Sequence, residues 1–176
     1  MVNIVKTFIK VGVLALQGAF REHIRAIRDS GAVAIEIRKP SQLSQVDGLI
    51  IPGGESTTIF KLIKRYRFKS ALDSFYNKGK PIYGTCAGMI LLSNNTAPDY
   101  MGLGYIDIDV KRNAYGRQID SFEEYIELKF DGVIEPERFK AVFIRAPKVL
   151  KANKDVEVIS ILNDSIVLAR QNNIMV

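Results

Sequence analysis

The sequence predicts an α/β domain: a doubly wound, mostly parallel sheet, with antiparallel strands added in the second half. Three observations carry this. Over the first 92 residues, apolar runs of strand length alternate with helix-period segments, as βαβ units require. Two glycine-bearing turns, Pro52-Gly53-Gly54-Glu55-Ser56 and Gly84-Thr85-Cys86-Ala87-Gly88, each follow a buried strand and lead into a helix. In the second half the helical period fades, and short strands with Asn-rich turns replace it.

Val11 to Leu16 is a continuous apolar run ending at Gln17-Gly18, the pattern of a strand covered on both faces. Phe20, Ile24 and Ile27 then fall at helical spacing over Phe20 to Ser30, and Gly31 closes the helix. Val33 to Ile37 is a second strand, broken by Lys39-Pro40-Ser41, and Gly48 to Ile51 a third. Ile59 to Tyr66 and Phe68 to Asn77 read as two short helices. Pro81 to Tyr83 is a fourth strand, and Ala87 to Leu92 an apolar, helix-compatible run. Further strands are expected at Ile106 to Val110, Tyr125 to Phe130, Ala141 to Ile144, Val156 to Leu162 and Ile166 to Ala169. Asn163-Asp164 and Asn172-Asn173 are turn sites. The antiparallel strands are expected at one edge of the sheet. The chain ends in the apolar Ile174-Met175-Val176, a strand pattern that looks cut short.

At 176 residues the chain is read as a single domain, residues 1–176, with an incomplete C-terminal end. Apolar residues make up 47% and charged residues 25%, an ordinary globular balance. One cysteine excludes an intrachain disulfide framework and suits a reducing cytoplasm. No apolar run approaches membrane-spanning length, and Met1 to Lys10 is not a signal peptide, so no membrane role is expected. The net charge of +6 is scattered, apart from a cluster at Lys61, Lys64, Arg65, Arg67 and Lys69. Without aromatic interleaving, that cluster reads as a solvated helix face, and no nucleic-acid partner is expected.

The chemistry concentrates on Cys86, the only cysteine. Small residues two positions before and after a nucleophile suit a tight strand-to-helix turn that projects its side chain. The helix start adds N–H groups beside the sulfur, which favour thiolate. The paired glycines Gly53 and Gly54, at the carboxyl edge of a parallel sheet, allow backbone N–H groups to approach a ligand as an oxyanion hole requires. Ser56 suits a helix N-cap, with Thr57 and Thr58 in the first turn. A phosphate loop does not fit, because its Lys and Ser/Thr positions do not line up. Arg112, Arg117 and Arg145 suit recognition of a carboxylate, although an Arg taken alone is more often a surface or structural ion-pair residue. A cysteine nucleophile needs a base. The only histidine, His23, reads as a surface or cap residue rather than that base. One Cys and one His give no metal-ligand spacing, so no metal is expected.

Taken together, several stretches resemble class I, triad-type glutamine amidotransferases, and within them the glutaminases of pyridoxal 5′-phosphate synthases. These are Gly12 to Ala19, Arg21-Glu22-His23, Pro52 to Thr58, Gly84 to Gly88, Arg112-Asn113, Gly116-Arg117-Gln118, Asp120 to Glu123, and Phe143 to Pro147. They run in family order from about residue 11 to 171. The resemblance implies a three-layer, flavodoxin-like fold and a concrete reaction. Cys86 attacks the side-chain amide of glutamine, forms a γ-glutamyl thioester and releases ammonia; water then yields glutamate. It also implies an oxyanion hole from the N–H groups of Gly54 and Ala87. Glutamine contacts are implied at Gly54, Glu55, Ser56, Arg112, Ile144 and Arg145. The ammonia would pass to the synthase (lyase) subunit, the implied partner, for vitamin B6 biosynthesis. Pyridoxal phosphate is then the product of the pathway and this chain needs no cofactor. Gln17 to His23 is either part of the synthase-facing surface or simply a helix start.

The family draws its catalytic His and Glu from a His-Pro-Glu segment after the last strand, and these 176 residues hold no counterpart. The expectation is therefore a fragment of a longer chain, nearly inactive as it stands. The alternatives are a catalytically silent binding or regulatory subunit of the same fold, or another α/β cysteine hydrolase.

Overall fold

The computed structural model describes residues 8–94, 96–97, 100–111, 121–130, 137–144 and 146–176. Strand β1 (Lys10–Leu14) leads through helix α1 (Phe20–Asp29) to β2 (Val33–Ile37). A 3₁₀ turn, Pro40–Gln45, then leads to β3 (Gly48–Ile51), α2 (Ser56–Arg65), α3 (Lys69–Asn77), β4 (Ile82–Gly84) and α4 (Ala87–Leu92). The second half holds β5 (Thr96–Ala97), β6 (Tyr100–Met101), β7 (Ile108–Lys111), β8 (Phe122–Leu128) and β9 (Glu137–Phe143). It closes with β10 (Lys148–Ala152), β11 (Glu157–Leu162), β12 (Ser165–Gln171) and β13 (Ile174–Met175).

Among the described residues, seven strands form the main sheet in the order β11-β12-β13-β4-β3-β1-β2. The five from β13 to β2 are parallel, and β12 and β11 run antiparallel at one edge. Side chains alternate across this sheet. Val13 meets Ile24 and Ile27 beneath α1. Leu14, Leu49, Ile51 and Ile82 join the larger core with Ile59, Ile63, Leu72 and Leu91 from α2, α3 and α4. Helices therefore cover both faces, and the three-layer expectation holds.

One feature departs from the sequence reading. Strands β8 and β9 pair with each other outside the main sheet, as do β7 and β10. The β8–β9 ribbon carries Ile126 opposite Phe139 and Phe122 opposite Phe143 on one face. The other face carries Glu123 ion-paired to Lys140 at 2.5 Å and Arg138 over the Tyr125 ring. A ribbon with one wet face and one apolar face cannot be an interior strand pair, so it packs as a flap. The apolar run Ile174-Met175 forms a strand, β13, as its pattern suggested. It lies inside the sheet, between β12 and β4, with Ile174 fully buried. The Asn172-Asn173 and Asn163-Asp164 turns precede β13 and β12 as expected, with positive φ at Asn163, Asp164 and Asn172.

Candidate active site

Strand order reverses between β1 and β3: the connection from β1 leads to β2 on one side, and that from β3 leads to β4 on the other. The carboxyl ends of strands at such a switch point open a crevice. The loops after β1, β3 and β4 meet there.

Cys86 occupies the corner between β4 and α4 with φ 49° and ψ −101°, a conformation that non-glycine residues avoid. The strain is held by close packing of the helix onto the strands. A Cβ on Gly88 would stand 2.1 Å from the Ile51 carbonyl oxygen, and one on Gly84 would stand 2.5 Å from Leu92 Cδ1. Only glycines let α4 settle this near β3 and β4. The backbone fixes the corner further, with Thr85 N–H donating to Ile51 O at 3.1 Å and Gly88 N–H to Thr85 O at 2.8 Å.

The Gly53-Gly54 loop lies against this corner. Gly53 N–H donates to Thr85 Oγ1 at 3.0 Å, and Gly53 O accepts from Ala19 N–H at 2.9 Å. Gly18, at φ 99°, is glycine because a Cβ there would fall 2.0 Å from Gly53 O. Gln17 Oε1 accepts the Glu55 N–H at 2.9 Å. The loop after β1 thus clasps the loop after β3.

Glu55, not Ser56, caps α2. Its carboxylate accepts the N–H groups of Thr57 (3.4 Å) and Thr58 (2.8 Å) and both threonine hydroxyls. The Thr57 hydroxyl bond contributes most in holding this carboxyl down to about 2; burial opposes it, and the bonds from Thr58 and the Thr57 N–H add to the lowering. Ser56 is the first residue of the helix and is buried. The longer Glu side chain reaches back over the helix end and satisfies two N–H groups at once, which a serine cannot do.

Cys86 is half-buried and reduced. Burial pushes its thiol up, and the backbone N–H groups of Ala87 and Gly54 pull it back only in part. The sequence reading had the helix start favouring thiolate; desolvation of the sulfur outweighs it. His23 is neither a surface residue nor a cap. It is half-buried beside the corner, with Nε2 3.0 Å from Thr85 Oγ1. Burial lowers its pKa, and neighbouring Glu22 offsets this only partly.

A cavity of about 890 Å³ opens at this edge, lined by Cys86, His23, Thr85, Gly53, Gly54, Glu55, Ser56 and Ile144 among others. The β8–β9 flap supplies an apolar wall through Ile126, Leu128 and Phe139, and β12 adds Ile166 and Leu168. The cavity thus gathers the predicted Cys86, Gly54, Glu55, Ser56 and Ile144. Ala87 follows Cys86 at the head of α4. Arg112, Arg117 and Arg145 lie outside the described residues. Sequence reasoning missed Thr85 and the flap wall. The period-2 pattern Phe122, Glu124, Ile126, Leu128 carried a signal for the wall; nothing in the sequence pairs Thr85 with His23. Among the described residues, no group of three or more His, Cys, Asp or Glu could hold a metal ion.

Residues 13–176 match the model of the SNO glutamine amidotransferase family. The chain belongs to this family. Among curated relatives of this glutamine amidotransferase, the pyridoxal 5′-phosphate synthase subunit PdxT of Bacillus licheniformis is 50% identical over 166 residues. That match covers 94% of this chain and 83% of the relative. The PdxT of Dehalococcoides mccartyi is 51% identical over 170 residues, 94% of this chain and 86% of its own. A crystal structure of a glutamine amidotransferase superposes with a TM-score of 0.85 at 43% identity, over 94% of this chain and 86% of that one. PurLQS of Thermotoga maritima shares the fold, with a TM-score of 0.73 at 14% identity.

Proposed function

We propose that this amidotransferase is the glutaminase subunit of a pyridoxal 5′-phosphate synthase. It hydrolyses glutamine to glutamate and ammonia and delivers the ammonia to the synthase subunit for vitamin B6 biosynthesis. The observation that carries the reading is the corner itself: a strained Cys86 at the cavity edge, with the N–H groups of Gly54 and Ala87 both acting on its sulfur. Family membership and the PdxT relatives supply the substrate and the partner.

In this mechanism Cys86 Sγ attacks the side-chain amide carbon of glutamine. The oxygen gains charge and is held by the Gly54 and Ala87 N–H groups, an oxyanion hole already beside the nucleophile. The carbon–nitrogen bond breaks, the thiol proton goes to the departing nitrogen, and ammonia leaves the γ-glutamyl thioester. Water then adds to the thioester, glutamate departs, and the proton returns to sulfur. Gly54, Glu55, Ser56 and Ile144 line the binding space, and Arg112 and Arg145 complete the glutamine contacts. The Glu55 carboxylate is committed to its cap, so Glu55 shapes the site through its backbone.

The proton transfers need a positioned acid–base group. The single histidine of these 176 residues is bonded to Thr85, and the thiol is pushed up. Ammonia release from glutamine, assayed with the synthase subunit on the full-length protein, tests the function. Cys86→Ala removes release entirely and loses labelling by a glutamine-analogue electrophile. Undiminished release in Cys86→Ala refutes the mechanism. Synthase binding without any release by the unsubstituted protein identifies a silent subunit instead.

A further inference from the structure

Thr85 stands between the two halves of the site. Its Oγ1 accepts the Gly53 N–H at 3.0 Å on one side and meets His23 Nε2 at 3.0 Å on the other. Its backbone leads directly into Cys86, and Gly53 leads directly into Gly54. One hydroxyl therefore ties the nucleophile's corner to the loop that presents the Gly54 N–H. A threonine hydroxyl rotates freely unless a second partner holds it. His23 is that partner: it reaches across from α1, 62 residues away in sequence. The ring is half-buried and kept neutral by that burial, suited to a fixed hydrogen bond and not to carrying charge. Its Nε2 bonds to Thr85 Oγ1.

We propose that His23 is a positioning residue for amide hydrolysis, holding through Thr85 Oγ1 the Gly53–Gly54 backbone in register with Cys86. The reaction concerned is the glutaminase reading above, but the hydrogen-bond claim is separable from it. Oxyanion donors act only when held where charge develops, and misplacement by about 1 Å costs on the order of 10²-fold in rate.

The test uses the full-length protein with its synthase subunit, and the variants His23→Ala, His23→Gln, Thr85→Val, Thr85→Ser and the double variant His23→Ala/Thr85→Val. His23→Ala and Thr85→Val each lower kcat for glutamine by about 10–100-fold, with KM within about twofold. The double variant falls no further than the worse single one, because both break one chain of bonds. His23→Gln, whose Nε2 can reach the position of the imidazole Nε2, and Thr85→Ser, which keeps the hydroxyl, each recover most of the loss. Amide hydrogen exchange at Gly53 supplies a readout that needs no activity: it speeds by about tenfold in His23→Ala and Thr85→Val, and stays slow in His23→Gln. Full kcat in His23→Ala, additive losses in the double variant, or unchanged exchange at Gly53 overturns the proposal. A His23→Ala loss as deep as that of Cys86→Ala, unrescued by Gln, also overturns it, because His23 then acts in the chemistry. If the unsubstituted protein releases no ammonia, the glutaminase reading fails, and exchange at Gly53 still decides the role of His23.

Discussion

At the residue scale, the site is a set of polar atoms that already have partners. Glu55 is the clearest case. Its carboxylate is spent on the first turn of α2, and its pKa lies near 2 because those bonds favour the ionised form. The folded value is below the ordinary 4.5, so the folded state binds fewer protons between the two. The contribution is thus complete above pH 4.5 and is lost as pH falls from 4.5 through 2. Glu55→Ala should cost about 1 kcal/mol at pH 7, the usual worth of an N-cap. The gap between the two proteins, followed by urea denaturation, should narrow steadily over that acid window. Cys86 runs the other way: burial holds the proton on sulfur, so the corner aims the thiol without activating it.

At the element scale, the strand-to-helix corner depends on how closely α4 approaches β3. Gly88 is the contact point, and its missing Cβ is what leaves room for the Ile51 carbonyl. A backbone oxygen cannot swing aside as a side chain can. Gly88→Ala should therefore force α4 outward and destabilise the fold by about 3 kcal/mol, the upper range for overpacking. Cys86 would move with the helix. A large drop in thermal midpoint, together with slower labelling of Cys86 by a glutamine-analogue electrophile, checks both parts. The β8–β9 flap shows the reverse relation. Its outer ion pairs are solvated and weak, so its position rests on the apolar face it turns to the cavity.

At the scale of the whole molecule, the last few residues close the sheet. β13 is only Ile174–Met175, yet it joins the antiparallel edge to the parallel half. Val176 N–H and O both pair with Ala169 at 2.9 Å, and Ile174 and Val176 are almost wholly buried. Ile174→Ala would open a cavity between β4 and β12 and should cost about 2–5 kcal/mol. Chemical denaturation measures it, and a loss under 1 kcal/mol would mean that β13 contributes little to the sheet.

How much of this was legible in the sequence follows the range of the interactions. Alternating apolar runs and helix periods are local, so the parallel half of the sheet and the Cys86 corner could be read directly, with Val33–Ile37, Gly48–Ile51 and Ala87–Leu92 placed to the residue. Glycine spacing is local too, and it marked the Gly53-Gly54 turn and the Gly84–Gly88 corner before any geometry was known; Ala87 entered only through the family resemblance. Lys148–Ala152 was missed because a short strand broken by lysines has no periodic signal. The partners of Thr85, the clasp of Gln17 on Glu55 and the interior place of β13 join residues far apart in the chain. No local pattern encodes such pairs; they exist only once the sheet brings three loop ends to one edge. The sequence by itself determined the fold class, the glycine-flanked corner at Cys86 and the family. The tertiary structure alone decided that Glu55 is a cap, that the Cys86 thiol is pushed up, and that His23 reaches Thr85, because burial and cross-strand neighbours set these and both are products of packing.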